Sequence, residues 1–362
     1  MKFPFSCRRH ILYSKKAEEG QMQKNTAVIR LDAIRHNAEI FSGLAGVKKL
    51  CAVVKADAYG HGAAAVAQTL HKAADFFAVS LVEEGAQLRH AGTLNEILVL
   101  TPALCEEEVV RGVAEELIFT VGDTADYELL VRTCEKYDLT ARCHIKANTG
   151  MNRYGFSYAG FCRFLKRKLS DRVIVEGIYS HFYRPENALT SHTQFVLFGK
   201  FCNAAKFAFG GVIRHIAATG GTLASSDYRL DMVRIGIGLY GYLPGGFELP
   251  QGLLKPAMRI YGQVAAVRRR TYGGAGYGPC LYEGKILGTV RAGYADGFFR
   301  SGGINNVNNL CMDAYLTAES YKKYDNVCIF SDANAYAAAH DTISYEVLVD
   351  VGRRAERVYV EG

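Results

Sequence analysis

The stretch Val53-Val54-Lys55-Ala56-Asp57-Ala58-Tyr59-Gly60-His61-Gly62 decides how the rest of the chain is read. An apolar run from Leu50 to Val54 stops at a lysine, two glycines follow, and an alanine-rich helical pattern begins near Ala63. The order is strand, lysine, turn, helix. A lysine at the mouth of a buried strand is partly desolvated, which disfavours its charged form. An amine in that state can attack a carbonyl and form a Schiff base. Taken alone, the stretch favours a plainer reading, a lysine that only solvates a strand end, because such lysines are common.

Outward from this stretch the same beat recurs. A first strand is expected over 27–32, with Asp32 capping a helix that starts at Ala33. Further strands are expected at 49–54, 76–82, 96–102, 117–121, 141–147, 173–180, 213–218 and 232–237. Helical patterns at 62–73, 83–91, 105–115, 124–137, 158–169 and 191–208 separate most of them, and the interval 218–232 is the least regular. Strands and helices alternating over this length predict an α/β fold, a (β/α)8 TIM barrel. No GxGxxG follows the first strand, which counts against a doubly wound nucleotide-binding sheet. Chemistry in such barrels sits at the carboxyl ends of the strands. Lys55, Lys146, Arg153, His181, Thr219 and Arg234 all fall at or near those ends.

After about Gly246 the helical beat stops. The stretch 258–272 alternates loosely, and 286–290 and 326–330 read as strands. The expected organisation is a basic tail over 1–26, disordered or weakly docked, a barrel over 27–246, and a mostly β C-terminal domain over 247–362. The first strand, 27–32, is a candidate member of that second domain.

Composition fits a globular chain: 362 residues, 49% hydrophobic and 22% charged. No apolar run approaches the roughly 18 residues that span a bilayer. The formal net charge is +7, but residues 1–26 hold six Lys or Arg against two Glu and so carry four of those charges. The body is too weakly basic to argue for nucleic acid. The tail lacks an apolar core and a small-residue cleavage site, so it is a poor signal peptide. The ten cysteines form no CxxC pair and the ten histidines no HExxH, which points to reduced thiols in a cytoplasmic protein without a metal site.

Eight separated motifs then occur in one order: Val54 to Gly62; Lys146 to Gly155 (KANTGMNRYG); Ser180-His181-Phe182; Arg234 to Gly241 (RIGIGLYG); Gly276-Tyr277-Gly278; Gly293 to Gly297 (GYADG); Cys311-Met312-Asp313; and Thr342 to Glu346 (TISYE). In these the chain resembles the alanine racemase family, fold-type III enzymes that use pyridoxal 5′-phosphate (PLP), from about residue 27 to the C-terminus. Eight motifs in register move Lys55 from the plain reading to the catalytic one.

The resemblance implies an isomerase that interconverts L- and D-alanine and serves D-alanine biosynthesis. Lys55 matches the lysine that holds PLP and acts as one base, and Tyr277 matches the second base, supplied by the partner subunit of a homodimer. Two groups on opposite faces of a planar carbon can remove a proton and return one. His181 matches the neighbour of that tyrosine. Arg234 matches the arginine facing the pyridine nitrogen, where a guanidinium that does not give up its proton keeps the nitrogen unprotonated and favours reprotonation at Cα over transamination. Tyr59, Thr219 and the N–H groups of Gly236 and Ile237 match phosphate contacts. Arg153 matches a residue near the substrate carboxylate and the cofactor O3′, and Lys146 one carbamylated in many members. Met312 matches a backbone N–H donor to the substrate carboxylate, and Tyr294 and Asp313 match residues lining the access channel.

The chain also departs from the family pattern. Arg353 stands, by spacing from Tyr345, where a phosphate and gate tyrosine is usual, and arginine can bind phosphate bidentately. Tyr183 replaces an alanine, Ala218 replaces an asparagine, and the segments before Cys311 and Thr342 are short. A more polar gate suits a serine or broad-specificity racemase, the competing reading, because small pockets discriminate poorly against one hydroxyl. A non-catalytic PLP-binding protein has no need of Tyr277, and a decarboxylase of this fold type lacks the arginine at 234.

Overall fold

The computed structural model describes residues 25–46, 48–269, 272–277, 286–300 and 310–361. The basic tail lies almost wholly outside them, as do Gly278 and the short segment before Cys311. The described chain divides into a barrel unit, Arg35–Ala58 with Ala63–Leu254, and a C-terminal unit, which takes Lys255 onward together with the chain up to Ile34 and Tyr59–Gly62.

The barrel unit runs β2 (Lys49–Val53), α2 (Ala63–Leu70), β3 (Phe76–Val79), α3 (Val82–His90), β4 (Glu96–Val99), α4 (Glu106–Ala114), β5 (Leu117–Val121), α5 (Thr124–Tyr137), β6 (Ala141–Lys146), α6 (Tyr158–Phe164), β7 (Val173–Tyr179), α7 (Ala188–Phe209), β8 (Ile213–His215), α8 (Thr219–Ala224) and β9 (Met232–Ile235). All its strand pairs are parallel, in the order β8-β7-β6-β5-β4-β3-β2-β9. A parallel bridge between Ala218 and Arg234 joins the two ends, with the Arg234 N–H donating to the Ala217 carbonyl at 3.0 Å, so the barrel closes. Strands covered on both faces read as unbroken apolar runs. Every residue of β3 and of β5 is buried, which is why the sequence placed them well. Local signals set the helix starts: Asp123, Ser157 and Asn187 each accept a backbone N–H from the first turn of α5, α6 and α7.

In the C-terminal unit β10 (Met258–Arg269) is the spine. It pairs antiparallel with β1 (Thr26–Arg30), β11 (Ile286–Val290) and β13 (Asn326–Phe330), while β12 (Tyr315–Thr317) extends β11 and β14 (Glu356–Val360) pairs parallel with β1. Val264, Val290 and Val327 form its core. Two short helices, α9 (Ala333–Ala339) and α10 (Ser344–Asp350), complete it. The first strand therefore belongs to this sheet, with Thr26 opposite Tyr261 and Glu356. Asp32 does not cap the following helix, α1 (Leu31–Ala45). It lies inside the first turn, where its carboxylate pairs with the Arg30 guanidinium at 2.5 Å.

Candidate active site

Lys55 follows β2 by one residue and is half-buried. Burial, then the nearby Arg153 charge, holds its amine below the usual lysine range, against the pull of Glu84. The backbone after it is unusual. Ala56, Asp57, Ala58 and Tyr59 all adopt left-handed φ values, between 52° and 56°. Each such residue without glycine's freedom costs about 1–2 kcal/mol, and strain of this kind persists where surroundings over-determine it. In the barrel unit the surroundings are two carboxylates. Glu84 Oε1 accepts the Ala56 N–H at 2.7 Å, while Glu84 Oε2 accepts those of Ser80 and Leu81 at 2.7 and 3.1 Å. Asp57 Oδ1 accepts the Ala63 N–H at 2.7 Å, tying the turn to α2.

Arg234, inside β9, is 3% exposed. Its guanidinium reaches His215 Nδ1 at 2.6 Å, the carbonyls of Ser180 and Ile216 at 2.7 and 3.3 Å, and His181 Nδ1 at 3.4 Å. Lys146 ends β6, with Nζ 4.6 Å from the Tyr179 ring centroid. Burial, then the charges of Arg234 and Arg153, drives its amine well below the lysine range. Burial, then Arg234, Lys146, Arg153 and Lys55, drives His181 well below its ordinary value, so the ring is neutral. Gln194, 2% exposed, donates to the His181 carbonyl and to Thr149 Oγ1, both at 3.1 Å, and fixes the end of β7.

Arg153 rides on a closed excursion from the end of β6. Phe156 N–H returns to the Lys146 carbonyl at 2.9 Å, and Asn148 Oδ1 accepts the N–H groups of Gly150 and Asn152 at 3.0 and 3.1 Å. Among the described residues, no carboxylate forms an ion pair with Lys55, Lys146, Arg153 or Arg234. At the neighbouring strand ends, Thr219 Oγ1 accepts the Gly238 N–H at 3.4 Å, and no acceptor among the described residues takes the N–H groups of Gly236 and Ile237. A cluster of uncompensated cations beside open backbone donors suits anionic groups.

The remaining expected residues lie in the C-terminal unit. Tyr59 is buried, its ring centroid 6.2 Å from that of Tyr345, and burial followed by Tyr345 raises its phenol. Tyr277 is 74% exposed, with the Arg300 guanidinium 5.5 Å from its ring centroid. Met312 is 54% exposed on a loop clasped by the preceding motif: Tyr294 N–H donates to the Cys311 carbonyl at 3.1 Å and Ala295 N–H to the Met312 carbonyl at 2.9 Å. A Cβ on Gly293 would collide with the Met312–Asp313 backbone, so only glycine permits this approach. Arg354 clamps Asp313 at 2.9 Å, and Arg353 directs its guanidinium toward the carbonyls of Tyr294 and Ala295, each at 3.5 Å.

Two family descriptions match this chain: Alanine racemase, N-terminal domain, over residues 29–244, and Alanine racemase, C-terminal domain, over 257–359. The chain belongs to the alanine racemase family. The alanine racemase of Desulfovibrio desulfuricans is 34% identical over 92% of this chain and 98% of its own length. The alanine racemase of Clostridium difficile 630 superposes with a TM-score of 0.86 at 29% identity, covering 94% of this chain and 97% of the other. That of Bartonella henselae, solved with covalently bound pyridoxal phosphate, gives 0.80 at 25% identity over 94% of this chain and 100% of its own.

The residues present suit the cofactor that alanine racemases use. An amine of lowered basicity meets a carbonyl, and unpaired cations with open N–H groups meet a phosphate. Two contributors escaped the sequence reading: Glu84 and Gln194. Only Glu84 left a trace, an acid in the first turn of α3 three residues after Leu81.

Proposed function

We propose that the two sets of residues described above divide the work of one reaction. The chain is a PLP-dependent alanine racemase, and Lys55 is the observation that carries this: an amine of lowered basicity at a barrel mouth, among cations without counter-ions. When bound, PLP supplies the electron-accepting ring that makes the amino acid Cα proton acidic.

Lys55 holds the cofactor and, once freed, moves a proton at Nζ. Tyr277 Oη handles the proton on the opposite face, which an inversion at carbon requires. His181, kept neutral, is the neighbour through which the Tyr277 phenol acts, and Arg234 stands toward the ring nitrogen as a fixed positive charge. Thr219, Gly236, Ile237, Tyr59 and Arg353 grip the phosphate. Arg153 and the Met312 N–H orient the substrate carboxylate, and Tyr294 and Asp313 line the channel.

Lys146 fits a carbamylation site: its buried amine, driven well below the lysine range by burial, Arg234 and Arg153, would add carbon dioxide with loss of a proton, and the resulting anion would pair with Arg153. Exposure of Tyr277 and Met312 supports their use by a second copy in a homodimer with shared sites. The division into a barrel over 27–246 and a β domain over 247–362, with the first strand assigned to the latter, is supported by the pairing of β1. Among the described residues no helix is long and apolar enough to cross a membrane, and free cysteines support a cytoplasmic home.

Racemisation of L-alanine by the PLP-loaded protein, followed by optical rotation, tests the activity. No turnover with cofactor bound overturns it. Relative kcat/KM for alanine and serine separates this reading from a serine or broad-specificity racemase.

A further inference from the structure

Behind Arg234 the barrel interior holds a line of side chains that the reaction described above does not use. Arg234 meets His215 Nδ1 at 2.6 Å, and His215 Nε2 meets His144 Nδ1 at 2.9 Å. Both imidazoles are completely buried. An arginine has N–H donors and no acceptor, so His215 Nδ1 must accept. A neutral imidazole carries one N–H, so His215 donates from Nε2 and His144 Nδ1 accepts. The proton of His144 then sits on its own Nε2, which has no partner among the described residues. One donor without acceptors thus sets two tautomers in succession.

The surroundings keep the line rigid and uncharged. The His215 ring stacks on Tyr179, centroids 5.0 Å apart and planes 2° apart, and the Arg234 guanidinium and Lys146 Nζ lie 5.2 and 4.6 Å from that same ring. Tyr179 is itself tied to Thr120 Oγ1 at 2.7 Å. Room for His144 exists because residue 177 is glycine: a Cβ there would come within 2.6 Å of three ring atoms. Burial, then Arg142 and Arg234, pushes His144 down to about 3, and burial, then Arg234, His144 and Lys146, holds His215 well below its ordinary value. A carboxylate at position 215 would neutralise Arg234, whereas a neutral acceptor aims the guanidinium and leaves its charge intact.

We propose that His144 is a positioning residue for racemisation: by accepting from His215 it locks that ring as the acceptor for Arg234, and so holds the guanidinium in place with its full charge toward the cofactor ring. The proposal rests on the assignment of Arg234 given above.

Nitrogen NMR of the holoenzyme with ring-labelled histidine reads the tautomers directly. Two neutral rings protonated at Nε2 are expected for His144 and His215, identified by their loss in His144→Asn and His215→Asn. A doubly protonated ring or an Nδ1–H at either position overturns the proposal, and this measurement needs only the unaltered protein.

Function is read as pyruvate released from alanine per racemisation turnover, since pyruvate is left when the amino group passes to the cofactor instead of returning. His144→Phe, which cannot accept, raises this ratio about tenfold, the change made by one lost hydrogen bond. His144→Asn, whose Oδ1 can accept, leaves it within about twofold of the parent. Arg234→Glu is the comparator. If it raises pyruvate and His144→Phe does not, the role of His144 is wrong and that of Arg234 stands. If neither does, both assignments fall.

Discussion

Lys55 illustrates how one residue's chemistry follows from where a strand ends. Apolar residues carry the chain into the barrel wall, and the next side chain meets burial on one side and Arg153 on the other. Lys55→Ala is expected to lower kcat/KM for alanine by at least about 10³-fold and to abolish the cofactor's lysine-linked absorbance, both read in one titration with PLP. Tyr277→Phe keeps that absorbance and loses about 10²–10⁴-fold in turnover. Its signature is one-sided: exchange of the Cα proton with deuterated solvent persists for one alanine enantiomer and stops for the other. Exchange that falls equally for both refutes opposite-face bases. Arg353→Tyr restores the usual gate residue, and the expected result is a lower serine-to-alanine ratio of kcat/KM. An unchanged ratio removes Arg353 from the account of substrate choice.

At the scale of elements, the turn after β2 shows strain held in place by a neighbouring helix. Nothing in Ala56-Asp57-Ala58-Tyr59 supplies glycine's freedom, yet all four residues are left-handed. Glu84, at the start of α3, joins the turn to the loop after β3 with one carboxylate. Glu84→Ala leaves those N–H groups unpaired and is expected to cost about 1–3 kcal/mol in urea unfolding. It also speeds hydrogen exchange at Ala56 and Ser80; unchanged exchange there means that the turn is held by something else. In β7 the constraint is volume. Gly177→Ala sets a methyl group against the His144 ring and is expected to destabilise by about 1–3 kcal/mol, as overpacking of a filled core does. A wild-type midpoint implies that the ring moves freely.

For the whole molecule, three buried neutral histidines make stability depend on pH. His144 is lowered to about 3 from 6.5, and His181 and His215 are lowered in the same direction, each by burial first. The unfolded chain therefore binds protons that the native chain refuses. This contribution is complete above about pH 6.5 and is lost as pH falls toward 3, by up to about 1.4 kcal/mol per pH unit for each ring. Urea midpoints measured from pH 7 to pH 4 should decline, and His144→Asn should shallow the slope. The order of elements was legible in the sequence because parallel strands covered on both faces are mostly apolar runs, so β3, β5 and their neighbours announce themselves. The rim of cationic residues was legible too, once strand ends were known. The sheet that β1 joins was not, since Thr26 finds Tyr261 and Glu356 only through pairing across most of the chain. By itself the sequence determined the barrel, its family and the residue types at the mouth, because periodic burial and side-chain chemistry are local properties. Only the tertiary structure decided the left-handed turn at Lys55, the acid that holds it, and the two-histidine line behind Arg234, because each depends on a hydrogen-bond partner that folding brings from elsewhere in the chain.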